Sequence, residues 1–282
     1  MGMIRAEKFD LAFDLSLNAG IGLALKIAGI PRRVGYDYKG RGRFLTERRF
    51  LKGYVGRPVA EYYLNLLEEA NVKRCMDQER LCFSSTSMRI YSSSDDISWA
   101  LGFLKEHQLS DHSFIVLFPG GGASWGKGAV AKRWPAGHFS KLADKIIEKA
   151  GCKIILMGSP EEKSLCEEVS ASLKDAALVV AGGVDLGRSV ALLSHARFVI
   201  ANDGGPLHMA VASGVQTVSI FGPVDPLVYG PFPGDGHLVV VKGLSCQPCY
   251  RNFRMSECQH GSCLKTLTVD EVFRRIIEGK LL

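Results

Sequence analysis

Residues 197–223, RFVIANDGGPLHMAVASGVQTVSIFGP, decide how this chain folds. An apolar run stops at Asn202-Asp203, two glycines follow, and Pro206 opens a helical pattern. A second apolar run, QTVSIFGP, comes after Gly214. Strand, helix and strand at this spacing make a right-handed β-α-β unit of a parallel sheet. The first junction also suits a ligand. Gly204 and Gly205 let the backbone turn sharply and approach a bound group without a Cβ in the way. The N–H groups that open the next helix form, with its dipole, a site for an anion. Pro206 gives up an N–H that the helix would leave unpaired anyway. His208, in the exposed first turn, can donate to a phosphate or a sugar hydroxyl. The plainer alternative is an Asp-Gly turn beside a satisfied histidine.

The same alternation extends outward through the second half. SFIVLFPG (113–120) is a continuous apolar run, the mark of a strand buried on both faces. In AGHFSKLADKIIEKAG, the residues Phe139, Leu142, Ala143, Ile146 and Ile147 recur at helical spacing, with Pro135 suited to the first turn and Gly151 to the C-terminal cap. CKIILMG, a helix fronted by Glu161, ALVVAGG and the helix GRSVALLSHA lead into the opening stretch. HLVVVKG, a cysteine-containing loop and the helix VDEVFRRIIEGKLL follow it. Residues 101–282 therefore read as a doubly wound α/β domain. Residues 1–100 read as part of a similar unit, with a strand at FDLAFDLSL, helices at GIGLALKIAGI and PVAEYYLNLLEEANV, and two strands at most. The polar SSTSMRIYSSSDD (84–96) is the natural boundary.

Two further strand ends carry chemistry, because ligands of open α/β sheets bind beyond the carboxyl ends of the strands. In FPGGGASWGKGAVAKRWPAGHF (118–139), Gly121, Gly126 and Lys127 satisfy G-x-x-x-x-G-K, but Gly128 replaces the Ser or Thr that would ligate magnesium, and no helix is expected directly after it. A P-loop is rejected. Lys132, four residues before the helix, can place a point charge on a diphosphate; a solvated Lys132-Arg133 pair is the alternative. In LMGSPEE (156–162), Glu161 or Glu162 can accept from a ribose, or can serve only as a first-turn acid that favours the helix dipole. There is no G-x-G-x-x-G fingerprint, metalloprotease pattern or nucleophile elbow.

The 282 residues are 46% hydrophobic and 23% charged, ordinary for a soluble protein. No stretch reaches the roughly 18 unbroken apolar residues of a membrane helix, and the N-terminus is not a secretory signal, so a cytoplasmic protein is expected. The net charge of +6 points mildly toward acidic partners, but from net charge alone a solubility margin is favoured. Its distribution says more. Arg32, Arg33, Lys39, Arg41, Arg43, Arg48, Arg49, Lys52 and Arg57 face only Asp37 and Glu47, which makes either a polyanion surface or a solvated basic loop. Cys246, Cys249, Cys258 and Cys263, with His260 among them, have a spacing that allows zinc. The second pair is not C-x-x-C, however, and reduced thiols in a packed loop are favoured.

AKRWPAGHFSKLAD, LMGSPEE, ANDGGPLHMAVASGVQTVSIFGPVDP and CQPCYRNFRMSECQHGSCL resemble glycosyltransferase family nine, the ADP-heptose:lipopolysaccharide heptosyltransferases, the cysteine loop being most similar to the heptosyltransferase II type. FDLAFDLSLN and AGIPRRVGYDYKGRGRFLT resemble the same family's N-terminal domain. The resemblance implies a GT-B-like α/β fold of two Rossmann-like doubly wound domains, the N-terminal one truncated. It implies inverting transfer of heptose from ADP-heptose to the lipopolysaccharide inner core, with no cofactor and no metal. Lys132, Glu161, Asp203, Gly204, Gly205 and His208 would then hold the donor. Gly204 stands where many members carry Ser or Thr. The basic segment, with Arg32, Arg33, Arg41 and Arg43, would face the phosphorylated acceptor at the inner-membrane surface, and no nucleic-acid partner is expected. The family's general base, an aspartate in an earlier strand-loop, has no counterpart here, and Asp10 and Asp14 sit on the wrong element. Donor binding without efficient transfer is therefore expected. The rival reading is a non-catalytic nucleotide-sugar or glycan-binding homologue, and within the enzymes a family member using another nucleotide sugar.

Overall fold

The computed structural model describes residues 2–69, 88–122, 126–173, 176–232, 234, 236–258 and 260–282. They form two compact units, Met1–Ser85 with Arg251–Arg254, and Thr86–Tyr250 with Met255–Leu282.

The first unit carries a parallel sheet of three strands, β1 (Leu11–Asp14), β2 (Arg32–Asp37) and β3 (Glu47–Phe50), in the order β1-β2-β3. That is one more than the two expected. Both extra-sequence clues were hidden by charge: RRVGYD and ERRF put arginines where a half-buried strand normally shows its apolar alternation. The polar ends pair instead, with Arg32 Nε 2.8 Å from Glu47 Oε1 across neighbouring strands. Arg32, Arg33, Arg48 and Arg49 of the basic segment thus lie on strands, while Lys39, Arg41, Arg43, Lys52 and Arg57 stay outside them. Helix Ala19–Ile27 starts at Asn18, whose side chain accepts the Gly20 N–H. Helix Val59–Glu69 sends Tyr62 and Tyr63 to Tyr54. Arg251–Arg254 belong to this unit through a hairpin turn in which Asn252 and Phe253 have φ of 52° and 61°. Glycine normally fills such a position, and a left-handed phenylalanine costs about 1–2 kcal/mol. Its ring is compensated by edge contacts with Tyr38 and Tyr54, at centroid distances of 4.8 and 5.2 Å.

The second unit contains β4 (Phe114–Phe118), β5 (Lys153–Leu156), β6 (Ala177–Val179), β7 (Val199–Asn202), β8 (Thr217–Phe221) and β9 (His237–Val241). All neighbours are parallel, in the order β6-β5-β4-β7-β8-β9. The chain thus runs outward from β4 to one edge, returns, and runs outward from β7 to the other, so the order reverses between β4 and β7. β4, β7 and β8 are buried along their whole lengths, as continuous apolar runs require. Helix Ala136–Ala150 buries Phe139, Leu142, Ala143 and Ile146 against the sheet, each such large side chain contributing about 1.5–3 kcal/mol. Gly151 ends it in the left-handed conformation at φ 61°, while Pro135 stands one place earlier than expected, as the N-cap. The closing helix Val269–Glu278 buries Val272 and Ile276 and starts at a Thr268–Glu271 capping box. Lys242, Thr268 and their hydrogen bonds hold the Glu271 carboxyl down at about 2. Helix Ser94–Glu106 packs on helix Leu186–Leu193, with Arg188 over the Trp99 ring at 5.4 Å.

Candidate functional site

The strand order reverses between β4 and β7, and the loops leaving these two strands lie where ligands of open α/β sheets bind. The two loops meet there closely. A Cβ at Gly204 would lie 1.8 Å from the Gly121 carbonyl oxygen, so only glycine fits the approach. Gly121 and Gly122 adopt φ of 82° and 80°, and a Cβ on Gly122 would press on Pro206 Cδ at 3.2 Å. Gly205 begins helix Gly205–Ala212 in the open, and no side chain caps that helix. The start of the helix is therefore open to an anion.

Beneath this opening lie the charged groups. Lys132 Nζ is 3.0 Å from Asp203 Oδ2, and the two side chains are only 5% and 7% exposed, which disposes of a solvated Lys132. Burial pushes the Asp203 carboxyl up from the usual carboxylate range, against the pull of Lys132 and His208. Burial likewise pushes His208 down, as does Lys132, while Asp203 draws it up. The imidazole is thus neutral near pH 7 and has both a donor and an acceptor nitrogen. A 3-10 helix, Gly126–Lys132, delivers Lys132 to this place. It begins where no helix was expected, but it is not the α-helix that a P-loop feeds.

Asn202, wholly buried, locks the two loops together. Its carbonyl oxygen accepts the Trp134 N–H at 3.0 Å, and its amide donates to the Pro119 carbonyl at 2.7 Å. Trp134 in turn donates its indole N–H to the Leu267 carbonyl at 2.9 Å. Asn202→Ala strands two buried backbone groups at about 1–3 kcal/mol each, so urea unfolding should show a loss of about 2–4 kcal/mol. A loss under ~0.5 kcal/mol would mean that the pair is not held as described.

Glu161 stands exposed on the 3-10 turn Pro160–Glu162, its carboxyl held down by a hydrogen bond from Ser159 and by a backbone N–H. Its neighbour Glu162 is buried. The sequence offers Glu162 as the alternative to Glu161, and leaves Arg133, Asn202 and Gly121 without a site role. The pattern Ser159-Pro-Glu-Glu162 is an S-x-x-E capping box, a signal that could have picked out Glu162.

The four arginines expected to meet an acceptor divide. Arg33 is spent on the carbonyls of Ile30, Pro31 and Phe44, and Arg32 on Glu47. Arg41 and Arg43 are exposed, over the rings of Tyr38 and Phe44 at 5.5 and 4.9 Å. All four belong to the first unit, whereas Lys132, Asp203 and His208 belong to the second. Asp14 is buried and accepts the Ser16 N–H at 2.9 Å. Cys246 and Cys258 are exposed and Cys263 is buried, all as free thiols, and among the described residues no three His, Cys, Asp or Glu side chains are grouped to hold a metal ion.

Comparison with known proteins places these features in context. The model of glycosyltransferase family 9 (heptosyltransferase) matches residues 2–260. Lipooligosaccharide heptosyltransferase 2 of Haemophilus ducreyi is 35% identical over 233 residues, 80% of this chain and 64% of that protein. Lipopolysaccharide heptosyltransferase 2 of Escherichia coli K12 is 26% identical over 227 residues, 79% of this chain and 62% of that protein. The chain thus spans a little under two thirds of the length of these curated relatives. The solved structure of E. coli ADP-heptose lps heptosyltransferase II has a TM-score of 0.74 at 22% identity and covers 99% of this chain and 79% of its own. A family 9 glycosyl transferase from Veillonella parvula gives 0.76 at 21%, covering 99% and 77%. The fold is the expected GT-B-like one, built from Rossmann-like α/β units, and the chain belongs to glycosyltransferase family 9.

Proposed function

We propose that this protein is an inverting heptosyltransferase that takes L-glycero-D-manno-heptose from ADP-heptose and delivers it to the lipopolysaccharide inner core. The observation that carries the reading is the glycine-built opening at the reversal of strand order, with an uncapped helix start above a buried lysine. A diphosphate fits that chemistry: its oxygens accept from the helix N–H groups, and Lys132 supplies charge from below. Displacement at the anomeric carbon breaks the bond to the diphosphate, whose negative charge then grows. Lys132 and the Gly204–His208 segment are preorganised to stabilise that charge, the general role of fixed donors in a buried site. The neutral His208 can donate to a phosphate oxygen or a heptose hydroxyl. Asp203 holds Lys132 in place at 3.0 Å, and Glu161, exposed on the turn after the neighbouring strand, would meet a ribose. The exposed Arg41 and Arg43 would meet the phosphorylated acceptor. No described helix is long and apolar enough to cross a membrane.

Calorimetric titration with ADP, UDP and NAD tests the donor assignment. ADP is expected to bind in the micromolar range, about −8 kcal/mol, with UDP and NAD weaker by at least tenfold. Equal binding of UDP would move the reading to another nucleotide sugar, and no ADP binding by the folded chain would overturn it.

A further inference from the structure

The net charge of the molecule is carried by its first unit. That unit, Met1–Ser85 with Arg251–Arg254, holds 17 Lys and Arg against 10 Asp and Glu, a net +7, while the second holds 18 against 19, a net −1. Part of the excess gathers with exposed apolar side chains on one face of the three-stranded sheet. Phe44 and Leu45, between β2 and β3, lie over that face. A Cβ at Gly35 would meet Leu45 at 3.1 Å, and one at Gly22, in helix Ala19–Ile27, would meet Phe44 at 3.4 Å. The helix and these two residues are thus packed on one side of β2. Arg48 is the β3 partner of Gly35, and Phe50 of Asp37, so both side chains share that side. Around Phe44 stand Lys26 and Arg43, 5.9 and 4.9 Å from the ring centroid. Beside these bases the surface is apolar. Phe50 is 74% exposed, and Ile27 and Leu23, one helical turn apart next to Lys26, are 50% and 38% exposed. The acid nearby, Asp37, is answered by Arg48 at 3.6 Å.

We infer that this face of the first unit docks on an anionic lipid surface, with Phe50, Leu23 and Ile27 seated at the headgroup level and Lys26, Arg43 and Arg48 on lipid phosphates. The mixture of side chains decides the partner. A nucleic acid or another soluble polyanion rewards the bases, but it gains nothing from Ile27 and Leu23, which have no ring for a base to stack on. A second copy would bring an equal positive charge against the first. A bilayer interface rewards both features. Apolar side chains enter the boundary between headgroups and acyl chains, and each Lys or Arg close to an anionic leaflet adds about fivefold to binding. The inference does not depend on the donor assignment, since Lys132, Asp203 and His208 all lie in the second unit.

Sedimentation with vesicles tests it on the full chain. One set of vesicles is phosphatidylcholine alone, the other equal parts of phosphatidylcholine and phosphatidylglycerol. Binding is expected on the mixed vesicles, at least tenfold weaker on phosphatidylcholine, and weakened by added salt. Phe50→Ser/Ile27→Ser leaves every charge in place and is expected to lose at least tenfold on the mixed vesicles. Lys26→Gln/Arg48→Gln leaves the apolar side chains in place and is expected to lose about as much. Circular dichroism confirms that each is folded, and either pair serves alone if the other is not. Full binding by Phe50→Ser/Ile27→Ser would overturn the inference in favour of a soluble polyanion. Equal binding to both kinds of vesicle, or to neither, would overturn it outright. Titration of the unmodified chain with ADP keeps the two readings apart: vesicle binding without ADP binding sinks the donor reading and leaves this one standing, and ADP binding without vesicle binding does the reverse.

Discussion

Replacing Lys132 by alanine is expected to weaken ADP binding by about 1.5–3 kcal/mol, the worth of a hydrogen bond to a charged group, and to destabilise the fold more at pH 8 than at pH 5. The second effect follows from what the lysine leaves behind. Breaking a buried pair by removing one partner typically costs about 3–5 kcal/mol, because the remaining charge is uncompensated. Asp203 is that charge. Its folded-state value is already raised by burial even with the ammonium 3.0 Å away. Between the unfolded carboxylate value, about 4, and the higher folded value, the folded state binds more protons, so stability falls as pH rises. Without Lys132 the folded value climbs further, and the fall extends to higher pH. Urea unfolding at pH 5 and pH 8 measures this directly. The double variant Lys132→Met/Asp203→Asn should regain much of the stability and none of the ADP affinity. Equal stability of Lys132→Ala at both pH values, with ADP binding intact, would show that the pair neither carries charge nor meets the ligand.

Gly204→Ala is expected to be the most damaging single methyl in the second unit. The added carbon would lie 1.8 Å from the Gly121 oxygen and 2.7 Å from its carbonyl carbon, both backbone atoms. Flexible side chains can withdraw from such a contact, but this loop cannot withdraw cheaply, since Glu162 holds Gly122 and Arg133 holds Gly120. Overpacking of this kind costs about 3 kcal/mol or more, and any loop shift that relieves it moves the wall of the anion site. A fall of about 10 °C or more in Tm is expected, since 1 kcal/mol is worth about 2–4 °C in a domain of this size, together with loss of measurable ADP binding. Gly205→Ala is the matched control, because a Cβ there meets nothing within 4 Å. It should keep its Tm within a few degrees. If Gly204→Ala behaved like Gly205→Ala, the two loops could not be packed as closely as described.

What could be read from the sequence depended on how each element is buried. Strands enclosed on both faces announce themselves as apolar runs, so β4, β7 and β8 are legible from SFIVLF, FVIAN and TVSIF, and the less buried β5, β6 and β9 keep the pattern in KIIL, ALVV and HLVVV. Strands whose exposed positions carry arginine were not, and β2 and β3 disappeared into a stretch that looked like a basic loop. Alternation of strands and helices gives the class of sheet but not the order of its strands, so the reversal between β4 and β7 needed the three-dimensional pairing. At the site, the charge of Lys132 could be read, whereas its burial against Asp203 could not, because the partner lies at the end of a different strand. The tandem Glu161-Glu162 showed that an acid belonged at that turn. Which of the two faces inward is settled by the cavity that Gly120 and Gly158 leave, and that cavity exists only once both strands are paired.

The strand order also sets a timetable for synthesis. β4 lies in the middle of its sheet, yet only β5 follows it soon after in the chain. Its other neighbour, β7, begins about eighty residues later, from Phe118 to Val199. At a ribosomal rate of about 5–20 residues per second, one fully apolar flank of β4 waits roughly 4–16 s for its partner. During that interval the nascent chain presents FIVLF with an unpaired edge, the kind of segment that recruits other chains. Faster elongation shortens this exposure and pausing between the two strands prolongs it, so the yield of folded protein should depend on codon choice between positions 119 and 198 in particular.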